Sequence, residues 1–159
     1  MDPKRLALAV AAAVLCAGLW LAWLWQPERQ VRLHTAGLLK GIERRNWDKV
    51  QDLLADQYSD RWGHDKNFVV TGLHQVFGSF VFLKIEHQNL TVDATTGRTR
   101  TRVKMSGQGS PIAQFVMVKV NGLAEPFTFS WEKRSGKPWD WHLTAVDHPT
   151  LDPDVEPQF

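Results

Sequence analysis

Apolar positions along the chain follow three successive patterns. From Leu6 to Trp25 they are continuous: LALAVAAAVLCAGLWLAWLW carries no charge and leaves no polar face. At about 1.5 Å per residue, a helix of that length spans about 30 Å, the hydrocarbon thickness of a bilayer. From Val31 to Phe80 the apolar residues recur at helical spacing. Beyond Phe80 the period falls to two, the signature of strands.

The helical stretch divides into three. Val31, Leu38, Leu39 and Ile42 form one stripe, bounded by Pro27 before and Arg44-Arg45 after. Asn46 is placed to cap a second helix, with Asp48 in its first turn and Val50, Leu53, Leu54 and Tyr58 as its apolar face. A third helix is predicted from Phe68 to Ser79 with Asn67 as its cap; Gly72 and Gly78 lower its intrinsic helicity. In VFLKIEH (81–87), Val81, Leu83, Ile85 and His87 share a face. RTRTRVKM (98–105) alternates too: Arg98, Arg100, Arg102 and Lys104 lie opposite Thr99, Thr101, Val103 and Met105. FTFSW (127–131) turns Phe127, Phe129 and Trp131 inward, and after a turn at 135–138 the residues Trp139, Trp141, Leu143 and Ala145 continue that face. Residues 107–125 fit either state, since Ile112, Phe115, Val116, Lys119 and Val120 have helical spacing while FVMVKV is rich in β-branched residues.

Helices followed by a run of antiparallel strands predict an α+β domain, with about three helices packed on one face of a curved sheet. The division is a short tail and transmembrane helix over 1–27, the domain over 28–148, and an exposed tail rich in proline and acids over 149–159. Trp20, Trp23 and Trp25 cluster where an aromatic belt meets lipid headgroups. A cleaved signal peptide would have a shorter core and small residues before the cut, whereas a bulky LWLAWLW ends this run. Cys16, preceded by Leu15 and followed by nine further apolar or small residues, is badly placed for lipidation. Lys4 and Arg5 favour a cytoplasmic N-terminus and a periplasmic or extracytoplasmic domain, with Arg29, Arg32 and Lys40 opposing that bias.

Composition changes this picture little. At 23% charged residues and a net charge of +2, the chain is neither disordered nor a nucleic-acid binder by composition. Its single cysteine excludes an internal disulfide, and the six histidines show no metal-binding spacing, so neither metal nor cofactor is predicted.

The segments GIERRNWDKVQDLLADQYSDRW (41–62), FVVTGLHQVFGSF (68–80) and WDWHLTAVD (139–147) resemble the nuclear transport factor 2-like, or cystatin-like, superfamily of α+β barrels. The likeness spans residues 30–148. It implies a cone-shaped pocket. Some members are isomerases or dehydratases with an acid or His in that pocket, while others are membrane-anchored assembly components of the bacterial envelope. The isomerase pattern has a Tyr on the first helix, an Asp base after the second and an acid on a late strand. Here His34 stands for the Tyr, Asp60 lies where the base would be, and the late strands carry no inward acid.

Two groups of candidate residues follow. Tyr58, Asp60, Trp62 and His87, with His34, are pocket candidates in which Asp60 would act as base and His87 as its partner; each also has an ordinary role as a turn or core residue. The row Arg98, Arg100, Arg102 and Lys104 would meet anionic headgroups or an acidic partner, or form cross-strand pairs with Glu86, Glu132 and Asp140. The sequence therefore predicts a bilayer partner through residues 6–25 and a non-catalytic binding or assembly module. A protein partner or a homodimer would use the sheet face. The alternative is an isomerase- or dehydratase-like enzyme acting on a small apolar molecule.

Overall fold

The computed structural model describes residues 3–151. Helix α1 (Pro3–Leu24) is followed, after a break, by α2 (Pro27–Glu43), which starts on a proline at a position that needs no N–H donor. Among the described residues no single helix is long and apolar enough to cross a membrane. By length and composition the bent pair Leu8–Leu24 and Pro27–Glu43, meeting at 66°, passes that test together.

Helix α3 (Trp47–Leu53) is capped by Asn46, whose side chain accepts the Lys49 N–H. It ends earlier than its apolar stripe implies: Leu54 bridges to Leu143, and Tyr58 lies in the following loop. The reason is tertiary. Ala55 N–H donates to the Leu143 carbonyl and Ser59 N–H to that of Thr144, so the segment runs along the sheet edge. Helix α4 (Lys66–Gly78) begins two residues before the expected start, because Asp65 and not Asn67 accepts the Phe68 N–H, at 2.8 Å.

Four antiparallel strands follow in the order β1-β2-β3-β4: β1 (Phe80–Asp93), β2 (Arg98–Gly109), β3 (Phe127–Lys133) and β4 (Trp141–Asp147). Helix α2 lies along the outer edge of β1. There Glu43 accepts the Ile85 N–H at 2.9 Å, Arg45 reaches the Phe80 carbonyl and Arg32 the Leu90 carbonyl at 3.1 Å, which blocks pairing with another strand. Burial pushes the Glu43 carboxyl up, but Lys40 and the Ile85 N–H outweigh it and hold it below the usual carboxylate range.

The ambiguous stretch resolves into both states. Strand β2 continues to Gly109, and α5 (Pro111–Gly122) then starts with Ser110 as cap and Pro111 in its first turn. Ala113 and Met117, four apart, bury one side of it against Phe80, Leu83 and Met105. The β-branched residues do not prevent the helix, since packing overrides a propensity difference of a few tenths of a kcal/mol per residue. The domain thus has four helices on its sheet where about three were expected.

The main core joins α2, α3 and the late strands through Val31, Leu38, Val50, Leu54, Phe129, Trp131, Trp141 and Leu143. Within it Thr35 on α2 and Thr99 on β2, both wholly buried, share a hydrogen bond of 3.0 Å between hydroxyls. Trp139 departs from its expected inward place: it is 52% exposed in the turn before β4, and the inward alternation starts at Trp141.

Candidate functional site

The helices and the sheet do not meet everywhere. They leave an apolar cavity of about 400 Å³, open to solvent, within the range of small-molecule sites. One wall is the α2 stripe of Leu38, Leu39 and Ile42; Val69, Leu73 and Val76 of α4 and Val116 and Val120 of α5 form others, with Phe129 and Leu143 of the sheet between them. Gly72, in the middle of α4, also faces the cavity, and a Cβ built on it would meet nothing within 4 Å.

Polar atoms gather at one end. Tyr58, Asp60 and Trp62 line the cavity, and Tyr58 is 3% exposed. Its burial, with Asp60 close by, pushes the phenol far above its ordinary value, while the Val146 backbone hydrogen-bonds the phenol oxygen. The Asp60 side chain is 4% exposed. Its Oδ1 accepts the N–H groups of Trp62 and His64 at 3.0 and 2.9 Å, and its Oδ2 lies 3.1 Å from His64 Nδ1. Gly63, at φ +83°, supplies the left-handed residue that this tight turn needs. The His64 ring stacks on Phe68, centroids 4.2 Å apart and planes 11° from parallel. The carboxylate therefore fixes a loop and an imidazole at the rim of an apolar space, where it can accept a hydrogen bond from a hydroxyl or amine on a ligand whose body is apolar.

His87 does not belong to this group. It is exposed on β1 opposite Val103, because the cover provided by α4 and α5 reaches only Phe80, Leu83 and Ile85 and the strand runs on beyond it. His34 is also elsewhere: its Nδ1 is 2.7 Å from the Gln30 carbonyl oxygen and its ring meets the edge of Trp131. The partner of Asp60 is His64, four residues on, and not His87. The signal was local, an Asp with a Gly three residues later and a His after it, the composition of an Asp-organised turn.

His148 is a second residue that the sequence pattern does not mark. Wholly buried, it donates from Nε2 to the Glu125 carbonyl, while Nδ1 accepts the N–H groups of Thr150 and Leu151. This fixes residues 148–151, so Leu151 reaches the cavity and its carbonyl accepts the Trp62 indole N–H. The rest of the expected tail lies outside the described residues.

The basic row is exposed at Arg98, Arg100 and Arg102, which face Asp93, Thr91 and Gln88 of β1. Lys104 leaves it, half-buried, to donate to the Asn121 carbonyl at the end of α5. Glu86, expected to pair with the row, instead binds Lys84 of its own strand. Among the described residues no three His, Cys, Asp or Glu side chains converge as a metal site would require.

No family model and no curated protein matches the chain. Solved structures do. A protein of unknown function with a cystatin-like fold from Nostoc punctiforme aligns with a TM-score of 0.51 at 11% identity, over 77% of this chain and 91% of that one. A provisionally named scytalone dehydratase from Novosphingobium aromaticivorans gives 0.53 at 9% identity, over 74% and 79%. A nuclear transport factor 2-like protein from Cytophaga hutchinsonii gives 0.50 at 15% identity, over 75% and 94%. At such identities the likeness establishes architecture and leaves activity open. The chain has the nuclear transport factor 2-like, or cystatin-like, α+β fold.

Proposed function

We propose that this protein is a membrane-anchored binding domain that takes a small apolar molecule into the cavity, on the periplasmic or extracytoplasmic side of a bacterial envelope. The observation that carries the proposal is the apolar cavity with Gly72 on its wall. A mid-helix glycine lowers stability by roughly 1 kcal/mol relative to alanine, and here open space stands where its side chain would be. The ligand class follows from the lining, which is apolar except for the Tyr58, Asp60 and His64 end: a molecule with a hydrocarbon body and one polar group.

Helix α1 supports the anchor. Leu8, Leu15 and Leu19 are each about two-thirds exposed or more, at 73%, 67% and 71%, and Trp20 and Trp23 are exposed beside them. Helix α2 buries its own apolar stripe in the domain, so the bilayer segment is the uncharged run from Leu6 to Trp25. Lys4 and Arg5 before it support the orientation.

A photoreactive probe tests the cavity directly. The full chain in lipid nanodiscs is irradiated with a diazirine-bearing decanol, and the labelled residues are mapped by mass spectrometry. Labelling of the α4 and α5 faces that saturates with probe and is competed by plain decanol supports the reading. Labelling confined to α1, or rising without saturation, contradicts it.

The enzyme reading rests on the Asp60–His64 pair, a buried carboxylate and an imidazole on an apolar space. Against a mobile base stands the engagement of Asp60 Oδ1 by two backbone N–H groups. Deuterium incorporation next to the carbonyl of 2-methylcyclohexanone in D2O, abolished in Asp60→Asn, would favour catalysis; no incorporation above the variant favours binding alone.

A further inference from the structure

The turn between β3 and β4 stands apart from the rest of the domain surface. Trp139 on it is 52% exposed, although the sequence pattern places it inward. Its ring does not lie alone: it packs on Trp25, the last tryptophan of the apolar run, with centroids 6.0 Å apart. A residue more than a hundred positions away thus joins Trp20, Trp23 and Trp25 at one end of α1. At the same place the Arg29 guanidinium lies over the Trp23 ring, 3.4 Å from its centroid.

The turn is held in shape. Trp141 donates its indole N–H to the Pro138 carbonyl at 2.9 Å, the Arg134 N–H bonds to the Asp140 carbonyl at 2.9 Å, and the Lys137 N–H bonds to Ser135 Oγ at 3.2 Å. Its charges also sort. Asp140 is engaged by Ser135 and by His142, whose Nε2 lies 3.0 Å from its Oδ1, and Arg134 lies 3.8 Å from Asp56. Lys133 and Lys137 are exposed, Lys137 near the tip. Exposed Trp and Lys side by side are the pair that suits the headgroup layer, the indole at the boundary with the acyl chains and the ammonium at the phosphates.

We propose that the β3–β4 turn is a second membrane contact, in which Trp139 and Lys137 enter the headgroup layer beside Trp25 and fix how the domain sits on the bilayer. The inference rests on the reading of α1 as the anchor. Its partner is the lipid surface itself, with a preference for anionic headgroups supplied by Lys137 and Lys133. The exposed row Arg98, Arg100 and Arg102 lies on β2 and not in this turn.

Because Cys16 is the chain's single cysteine and lies inside α1, two fluorophore positions separate the two claims. The full chain is labelled at Cys16, or at position 136 in the double variant Cys16→Ser, Gly136→Cys; a Cβ at Gly136 meets nothing within 4 Å. Both are reconstituted into vesicles of phosphatidylcholine with and without phosphatidylglycerol, carrying nitroxide quenchers in the acyl chains or at the headgroups. The expected result is acyl-chain quenching at position 16 and headgroup quenching at position 136. The second should strengthen with phosphatidylglycerol and fall by roughly half or more when Trp139→Ala and Lys137→Glu are added. Quenching at 16 with none at 136, or quenching at 136 that ignores both substitutions, overturns the turn contact and leaves the anchor standing. No quenching at 16 removes the anchor, and the turn contact with it.

Discussion

Tyr58 is the only tyrosine in the chain, so its ionisation can be followed in isolation by absorbance. Burial and the neighbouring Asp60 favour the neutral phenol in the folded state. The unfolded chain releases this proton near the ordinary value of 10.0, while the folded chain keeps it. The unfolded state therefore binds fewer protons above that pH, and stability falls as pH rises. A spectrophotometric titration should show no phenolate in the native protein at pH values where the urea-unfolded protein is ionised. Coincident titration curves would place Tyr58 in water. Asp60 supports a second prediction. Asp60→Ala leaves the N–H groups of Trp62 and His64 without their acceptor and should lower stability by about 1–3 kcal/mol, measured by urea unfolding. Asp60→Asn keeps an oxygen for those N–H groups and should lose less. Of these residues the sequence marked Tyr58 as the end of an apolar stripe, Asp60 as the acid that the family resemblance places after the second helix, and Trp62 beside them. Periodicity marks neither His64 nor His148, since their roles arise from a turn and from a chain end folding back; for His64 the only signal is the local Asp-Gly-His composition of that turn.

At the level of elements, the helix α5 shows what caps and packing decide. Ser110→Ala removes the acceptor of the Ala113 N–H and should destabilise by about 1 kcal/mol, visible as a shift in unfolding midpoint without a change in slope. Gly97, at φ +64°, closes the β1–β2 hairpin with its Cβ position 2.2 Å from the Trp131 carbonyl oxygen. Gly97→Ala should therefore destabilise by more than a simple left-handed penalty of about 1 kcal/mol, because the backbone of β3 must also move. The alternation in 98–105 and 127–131 and the stripe of α2 were readable because each buries one face against a single partner layer. The 107–125 stretch was not, because strand, cap and helix succeed one another there within a few residues and the choice rests on Ala113 and Met117 meeting Phe80 and Met105. His87 was misplaced for the related reason that alternation predicts a face but not where the covering helices stop.

On the scale of the whole molecule, the order of helices and strands and the uncharged first segment together carry the α+β architecture and the anchor proposal. The cavity itself was not legible, since an apolar stripe looks the same whether its partner is another side chain or an unfilled space. Gly72 was noted only as a weak point in a helix; the structure makes it a wall of the cavity. Two opposed effects then meet in one substitution. Gly72→Leu improves helix propensity by roughly 1 kcal/mol and places apolar atoms into space where no neighbour stands within 4 Å of its Cβ, so the folded state should gain stability. The same atoms occupy the volume proposed for the ligand. The decisive measurement is thermal unfolding of the full chain in nanodiscs alongside saturable decanol-probe labelling, for wild type and Gly72→Leu. A raised midpoint together with lost labelling of α4 and α5 is the predicted result: the cavity is kept open, at the expense of stability, for an apolar ligand. Saturable labelling that survives Gly72→Leu unchanged, or its absence from both proteins, would contradict the account.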